Sequence, residues 1–151
     1  ATNLHRESNH RSIYLCMLRH APPPELVAFD LPDAVGITGQ REVTTLPTQT
    51  LFLLNSEFVV SQARIYAGNL LESAETVGHE TVAEQVRVRK VFQTCFQRLP
   101  TEVELQQSMD YLVAIDAHFK KTERDAGKRR YRVWQSFCQA MLMTNEFRYV
   151  D

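Results

Sequence analysis

The side chains that carry chemistry are scattered along this sequence rather than grouped. The histidines are His5, His10, His20, His79 and His118, and no two of them have the spacing with which one helix presents two ligands to a metal ion. No phosphate-binding loop, nucleophile elbow or dinucleotide fingerprint occurs. The residues therefore predict no catalytic residue and no metal site, and they favour a chain that is not an enzyme and holds no cofactor.

Asp30 and Asp33 form a close pair of carboxylates in a turn around Pro32. Two carboxylates in a turn are compatible with cation binding or with acid–base catalysis. Aspartates beside a proline are also typical caps for backbone amides. We favour this structural interpretation.

The candidate binding residues are polar or charged and lie in or beside segments with little regular structure. They are Arg11, Arg19, Asp30, Asp33, Arg41, Gln49 and Asn55. A buried amide needs a hydrogen-bond partner, and a guanidinium group can bond to loop carbonyls or carboxylates. We interpret these residues as a structural clamp, with recognition of a ligand or partner as the alternative.

The cysteines, Cys16, Cys95 and Cys138, fit no metal-binding or redox spacing. Cys95 and Cys138 fall on apolar helical stripes, so we expect buried thiols that behave as small hydrophobic groups. A disulfide between these two requires that their helices touch.

Length and composition are typical of one globular domain. The chain has 151 residues, of which 44% are hydrophobic and 23% charged. A net charge of -1 argues against a general nucleic-acid binder, which usually has a clear basic excess. No apolar run is long enough to span a bilayer, and the first residues have no signal-peptide pattern.

The spacing of apolar residues predicts an all-α, bundle-like domain. Its four principal helices are expected at roughly 46–72, 80–98, 102–119 and 131–147. Thr101 and Glu104 form a capping box that starts the third helix. Residues 1–43 are expected to wrap irregularly over the helices of residues 44–151, with one helical turn after Pro24.

Three features of these helices carry expectations about packing. Trp134 and Phe137 should be buried near Phe92 and Phe96, and the second stripe extends to Leu99. The first long helix has an apolar face over residues 51–66 that is broad enough for more than one neighbour. Residues 120–132 are rich in lysine and arginine, which is compatible with an anion-binding patch. We favour a solvated loop.

Four strings, taken together, resemble a known family. They are RSIYLCMLRHAPPPELVAFDLPD, REVTTLPTQTLFLLNSEFV, RLPTEVE and WQSFCQAMLMTNEFRYVD. In this order they resemble the DUF1553 (PSD1) family, and the second string is the most specific. The sequence departs from the family pattern at Gln97, where the family has glycine. It also departs at Met143, Thr144 and His20, which replace asparagine, serine and asparagine.

The resemblance implies the C-terminal portion of a module found in large exported proteins that are abundant in planctomycetes. Such proteins often carry a DUF1549 module and a cytochrome c-like module upstream. The implied partners are therefore upstream domains of the same polypeptide, and the implied location is periplasmic or at the cell surface. The resemblance brings no catalytic residue with it.

Three functions are compatible with the sequence. We favour a non-catalytic scaffold or interaction module that packs against upstream domains through the apolar face of residues 51–66. One alternative is a surface-glycan hydrolase with a pocket lined by His20, Asp30, Asp33 and Arg41. The other is an accessory domain in haem-linked electron transfer, with an exposed apolar or aromatic patch near Trp134 or Tyr149.

Overall fold

The computed structural model describes Tyr14, Pro22, Leu31 and residues 24–29, 47–72 and 80–148. Within these residues the chain is all-α, as predicted, and contains no β-strand. The helices are α1 (Pro24–Val27), α2 (Pro47–Asn55), α3 (Glu57–Glu72), α4 (Glu80–Phe96), α5 (Glu102–Phe119), α6 (Ala126–Leu142) and α7 (Asn145–Arg148). No helix in this part of the chain is long and apolar enough to cross a membrane.

The chain divides into two compact units, Ala1–Leu53 and Leu54–Asp151. In the first unit, α1 is the predicted helical turn after the prolines, and the Phe29 amide closes it by donating to the Leu26 carbonyl at 3.2 Å. The rings of Phe29 and Phe52 meet edge to face at 5.8 Å. The irregular wrap of residues 1–43 falls mostly outside the described residues, and a single domain over residues 1–151 stays a prediction.

The first long helix is not continuous, so the expected helix over 46–72 is wrong in this respect. It divides at Ser56 into α2 and α3. The carbonyl of Ser56 accepts the first helical bond of α3, from the Val60 amide at 3.0 Å, and serine is a favoured residue at a helix start. The carbonyl of Leu54 accepts instead from the Gln139 side chain at 2.9 Å, which satisfies a group that an unbroken helix would have bonded internally.

The capping box at the start of α5 is confirmed. The Glu104 amide donates to the Thr101 hydroxyl oxygen at 3.3 Å, and the Thr101 amide donates to the Glu104 carboxylate at 2.7 Å. These reciprocal bonds satisfy two backbone donors that a helix start leaves open. The predicted helix over 102–119 therefore has the observed bounds.

The last long helix begins earlier than predicted, and the basic loop expected over 120–132 is wrong for its second half. Asp125 caps α6, because its carboxylate accepts from the Lys128 amide at 2.8 Å. Residues from Ala126 onward are therefore helical although several are basic. The helix ends at Leu142, and the Thr144 hydroxyl then caps the short α7 by accepting from the Phe147 amide.

The core of the second unit is built around α6, which packs against α3, α4 and α5. Small residues of α3, Ala63 and Ala67, are fully buried and let α6 approach closely. Trp134 and Phe137 are buried in one cluster with Phe92, and Phe96 packs on its edge, as predicted. Leu99, in contrast, is exposed, because the helix it was expected to extend has already ended at Phe96.

Candidate functional site

The structure describes only part of the predicted clamp. Arg11, Arg19, Asp30, Asp33 and Arg41 lie outside the described residues. His20, the fourth residue of the pocket considered for a hydrolase, lies outside them as well. The structure therefore neither brings these side chains together nor separates them.

The two amides of the first long helix have different environments. Gln49 is buried, as its place in an apolar segment predicts. Asn55 is exposed, so the burial expected of its side chain is wrong. Its position explains the difference, because Asn55 is the last residue of α2, directly before the break at Ser56. A clamp role for either amide stays a prediction.

An apolar face of α3 is left open to solvent. Phe58 and Ile65 are 57% and 55% exposed, and Leu54, just before the break, is 51% exposed. Phe58 and Ile65 are separated by about two helical turns, so they lie on the same side of α3. The buried residues Ala63 and Ala67 occupy a different side, which packs in the core. We call Leu54, Phe58 and Ile65 the open face.

Two hydrogen bonds from α6 hold the backbone of the open face. Tyr131 of α6 donates its hydroxyl to the Arg64 carbonyl at 2.8 Å, beside Ile65. The Tyr131 ring also lies against Gly68, where an added Cβ would be 3.7 Å from the ring. The Gln139 bond to Leu54 anchors the other end. The face that was predicted to contact more than one neighbour is therefore half packed and half exposed.

The turn between α4 and α5 is a second well-defined feature. Gln97 has a φ of 57°, in the left-handed region that disfavours side chains with a Cβ. This conformation ends α4 and directs Arg98 back over the end of the helix. The guanidinium carbon of Arg98 lies 5.5 Å and 5.7 Å from the ring centroids of Phe92 and Phe96.

Arg98 bonds to two carboxylates at once. Its Nη1 and Nη2 donate to Glu104 at 2.9 Å and 2.7 Å, and its Nε and Nη2 donate to Glu146 at 2.6 Å and 2.8 Å. Glu104 is the capping-box residue of α5, and Glu146 belongs to α7. One guanidinium group in the turn after α4 therefore bonds to both α5 and α7. The local sequence around Arg98 does not predict this role.

The charges of this cluster are mutually stabilised. Hydrogen bonds from Arg98 and from the Thr101 amide lower the pKa of Glu104 to about 2. Hydrogen bonds from Arg98 also lower the pKa of Glu146, and the same bonds raise the pKa of Arg98 itself. All three groups are thus fully charged near neutral pH, which is suited to holding helices in place and unsuited to proton transfer.

Two cysteines in the core are free thiols. Cys138 is fully buried, as predicted, while Cys95 is only half buried. Burial raises the pKa of Cys138 to about 12 and raises that of Cys95 as well. Neutral thiols of this kind act as packing groups, because the thiolate is the reactive form.

Two further observations bear on cofactors. In the part of the chain that the structure describes, no three histidine, cysteine or acidic side chains lie close enough to hold a metal ion. Trp134, around which an electron-transfer patch was considered, is 1% exposed, and Tyr149 lies outside the described residues. Trp134 therefore packs in the core and forms no exposed aromatic patch.

Comparison with known protein families gives a match over most of the chain. Residues 1–112 match PSD1, described as a protein of unknown function (DUF1553). The chain belongs to the PSD1 family. The comparisons with curated proteins and with solved structures gave no match.

The PSD1 match includes part of the Arg98 cluster. The turn from Arg98 to Glu104 lies inside the matched residues, whereas Glu146 lies beyond them. In the resemblance described above, the PSD1 pattern has glycine where this chain has Gln97. Glycine is the residue best suited to a positive φ, and a positive φ is what the structure shows at Gln97.

Proposed function

We propose that this PSD1 chain is a non-catalytic interaction module whose open face packs against another domain of the same polypeptide. The single observation that carries the proposal is the exposure of Phe58 and Ile65 on a helix whose other side is locked in the core. Apolar side chains seven residues apart on one helix are spaced like the anchors with which a helix docks in an apolar groove.

The free energy of burying apolar side chains favours a partner that covers the open face, either transiently or permanently. Full burial of a Phe or Ile side chain is worth about 1.5–3 kcal/mol, so covering the exposed halves of Phe58 and Ile65 contributes roughly 2–3 kcal/mol together. The backbone beneath them is fixed by Tyr131, so little ordering entropy opposes docking. This energy is enough to orient a tethered domain, for which the effective concentration is already high.

The partners we propose follow from the family resemblance. They are upstream domains of the same polypeptide, DUF1549-like or cytochrome c-like, in a protein that is exported to the periplasm or cell surface. We also propose that the chain itself holds no cofactor. Stoichiometric metal or a haem absorption band in protein purified from metal-replete medium would contradict this part.

Site-specific cross-linking in the complete gene product tests the docking proposal. A photoreactive phenylalanine analogue is placed at Phe58, and in a matched control at Val113, which is 68% exposed on α5. We expect strong cross-links from position 58 to peptides of another domain of the same polypeptide and few from position 113. Equal yields from the two positions, or none from position 58, would contradict the proposal.

A further inference from the structure

Exposed cations of the second unit gather where α5 ends and α6 begins. Residues 120–132 carry seven basic and two acidic side chains, a net +5 in a chain whose net charge is -1. We define the cationic end as the exposed basic side chains of this segment and one from α3: Lys120, Lys121, Arg124, Lys128, Arg132 and Arg64. None of them forms an ion pair with a residue that the structure describes.

Among these cations, Lys128 opposes the local electrostatics of α6, whereas Lys120 and Lys121 follow the C-terminus of α5, where cations are favourable. The first two turns of α6 include Lys128 and Arg132, and its first turn contains no acidic residue. A helix N-terminus carries partial positive charge, so basic side chains there are unfavourable. The Asp125 cap offsets only part of this repulsion. An anionic partner would relieve the repulsion at Lys128.

Contacts between α3, α5 and α6 position several of the cationic side chains. Arg64, Lys128 and Arg132 line a groove of about 510 Å³ between α3 and the start of α6. The guanidinium carbon of Arg132 lies 4.4 Å from the centre of the Phe119 ring, which orients it. The Tyr131 hydroxyl holds the two helices together through the Arg64 carbonyl.

The nearby carboxylates do not neutralise the groove. Glu123 also lines it, and its carboxylate accepts from the Asp125 amide at 3.2 Å. Asp125 bonds to the Lys128 amide, and Asp116 pairs with Arg129 at 2.8 Å. The residues that line the groove include three cations, Arg64, Lys128 and Arg132, and one acid, Glu123, so the lining carries a net charge of +2.

We propose that the cationic end is a docking site for a carboxylate-rich segment of a protein partner. Guanidinium groups bind carboxylates through paired hydrogen bonds, as Arg98 does with Glu104 and Glu146 elsewhere in this chain. Single-stranded nucleic acids also require rings on which bases stack. The rings here, Phe119 and Tyr131, are already covered by Arg132 and by α3, which favours an acidic peptide over a nucleic acid.

This proposal does not rest on the open face, and the two have different tests. Docking through Phe58 and Ile65 is apolar and should persist at high salt. Docking at the cationic end is electrostatic and should weaken steeply as salt is added. Variants at Lys128 and Arg132 leave the open face unchanged, so failure of one proposal is distinguishable from failure of the other.

The test is binding of a fluorescein-labelled oligoglutamate peptide to the chain, followed by fluorescence anisotropy at low ionic strength. Lys128→Gln with Arg132→Gln is compared with Arg89→Gln and Lys90→Gln, a pair on the exposed surface of α4 that lowers the net charge equally. We expect the first pair to weaken binding roughly tenfold and the second to change it less than about twofold. Circular dichroism confirms that both variants are folded, and Arg124→Gln supplies an independent loop variant.

Three outcomes would overturn the proposal. The first is no binding of oligoglutamate by the unaltered chain at low salt. The second is an equal loss in the two pairs, which would mean that net charge alone attracts the peptide. The third is tighter binding of heparin or single-stranded DNA than of oligoglutamate, which would assign the cationic end to a glycan or a nucleic acid instead.

Discussion

The guanidinium group of Arg98 donates two hydrogen bonds, of 2.6 Å and 2.8 Å, to the carboxylate of Glu146, which is 48 residues away in the sequence. The same group binds Glu104 in the same two-pronged manner. The α4–α5 turn, the start of α5 and α7 are thus joined at one point. Because α7 has only one turn and no buried residue, this connection helps to hold it in place, together with the Thr144 cap.

We expect Arg98→Lys to lower the melting temperature although it keeps the charge. An ammonium group has three donors on one nitrogen and lacks the planar fork that forms a pair of hydrogen bonds with each of two carboxylates. Thermal unfolding followed by circular dichroism measures the loss, with Arg89→Lys on the exposed surface of α4 as the matched control. A loss no greater than that of the control would mean that charge alone is sufficient at Arg98.

The same cluster predicts a dependence of stability on pH. The pKa of Glu104 falls from an ordinary value of 4.5 to about 2 in the folded chain, and that of Glu146 is also lowered. A depressed carboxylate pKa stabilises the fold above the unfolded value, and this contribution disappears as pH falls toward the folded value. We expect melting temperature to decline between about pH 4.5 and about pH 2.

Glu104→Gln isolates this effect. The variant removes the titrating group and retains most of the shape of the capping box. It should be less stable than the unaltered chain at neutral pH, and the difference should shrink as pH falls through the stated interval. Parallel curves for the two proteins would show that the acid sensitivity arises elsewhere in the chain.

We expect Gln97→Gly to stabilise the chain. A left-handed backbone costs about 1–2 kcal/mol for a residue with a Cβ, and Gln97 has such a backbone with a φ of 57°. The greater freedom of glycine in the unfolded chain offsets about 0.4–1 kcal/mol of the gain. The net increase in the free energy of unfolding should be about 0.5–1 kcal/mol, measured by urea denaturation.

Gln93→Gly is the matched control, because Gln93 is exposed within α4, one turn before Gln97, and has ordinary helical geometry. Glycine in a helix interior costs roughly 0.5–1 kcal/mol. The two substitutions should therefore shift the urea midpoint in opposite directions. Destabilisation by both would mean that the φ of Gln97 is not left-handed in solution.

Local signals in the sequence were sufficient where one or two neighbouring residues decide the outcome. The capping box of Thr101 and Glu104 fixed the start of α5, and the apolar spacing placed Trp134 and Phe137 in the core. The start of α6 was missed because seven basic residues dominate the segment. The deciding signal was the single cap residue Asp125, which can satisfy the free amides of a helix start.

The whole Arg98 cluster could not be predicted because one of its partners, Glu146, is 48 residues away in the sequence. Arg98 and Glu104 are six residues apart across a turn, whereas Glu146 belongs to α7. The glycine of the family pattern at position 97 was an available signal, since glycine in such a place indicates a positive φ. The side of α3 that stays exposed was also undetermined, because apolar residues occur on both sides of that helix.

Reactivity of the thiols tests the environment of Cys138. Its pKa is about 12 and it is fully buried, so Ellman's reagent should not modify it in the folded chain at mildly alkaline pH. A Cys16→Ala background leaves Cys95 and Cys138 as the thiols to be counted. We expect the reagent to modify Cys95 slowly in the folded chain. It should modify Cys138 only after urea has unfolded the chain.

The final prediction concerns the aromatic cluster that supports the Arg98 turn. Phe92 is 5% exposed, meets Phe96 edge to face at 5.3 Å and lies beneath the Arg98 guanidinium. Truncation of a buried aromatic side chain typically costs about 3–5 kcal/mol, because a cavity adds to the lost transfer energy. Phe92→Ala should therefore lower the free energy of unfolding by an amount in this range.

Leu99→Ala is the control that makes this test sharp. Leu99 was expected on the same stripe as Phe92, but it is 63% exposed in the structure. Its truncation should change the free energy of unfolding by less than about 0.5 kcal/mol, as is usual for surface positions. Urea denaturation of both variants decides between the two placements. A large loss for Leu99→Ala as well as for Phe92→Ala would mean that α4 continues past Gln97 and buries Leu99 on the same stripe.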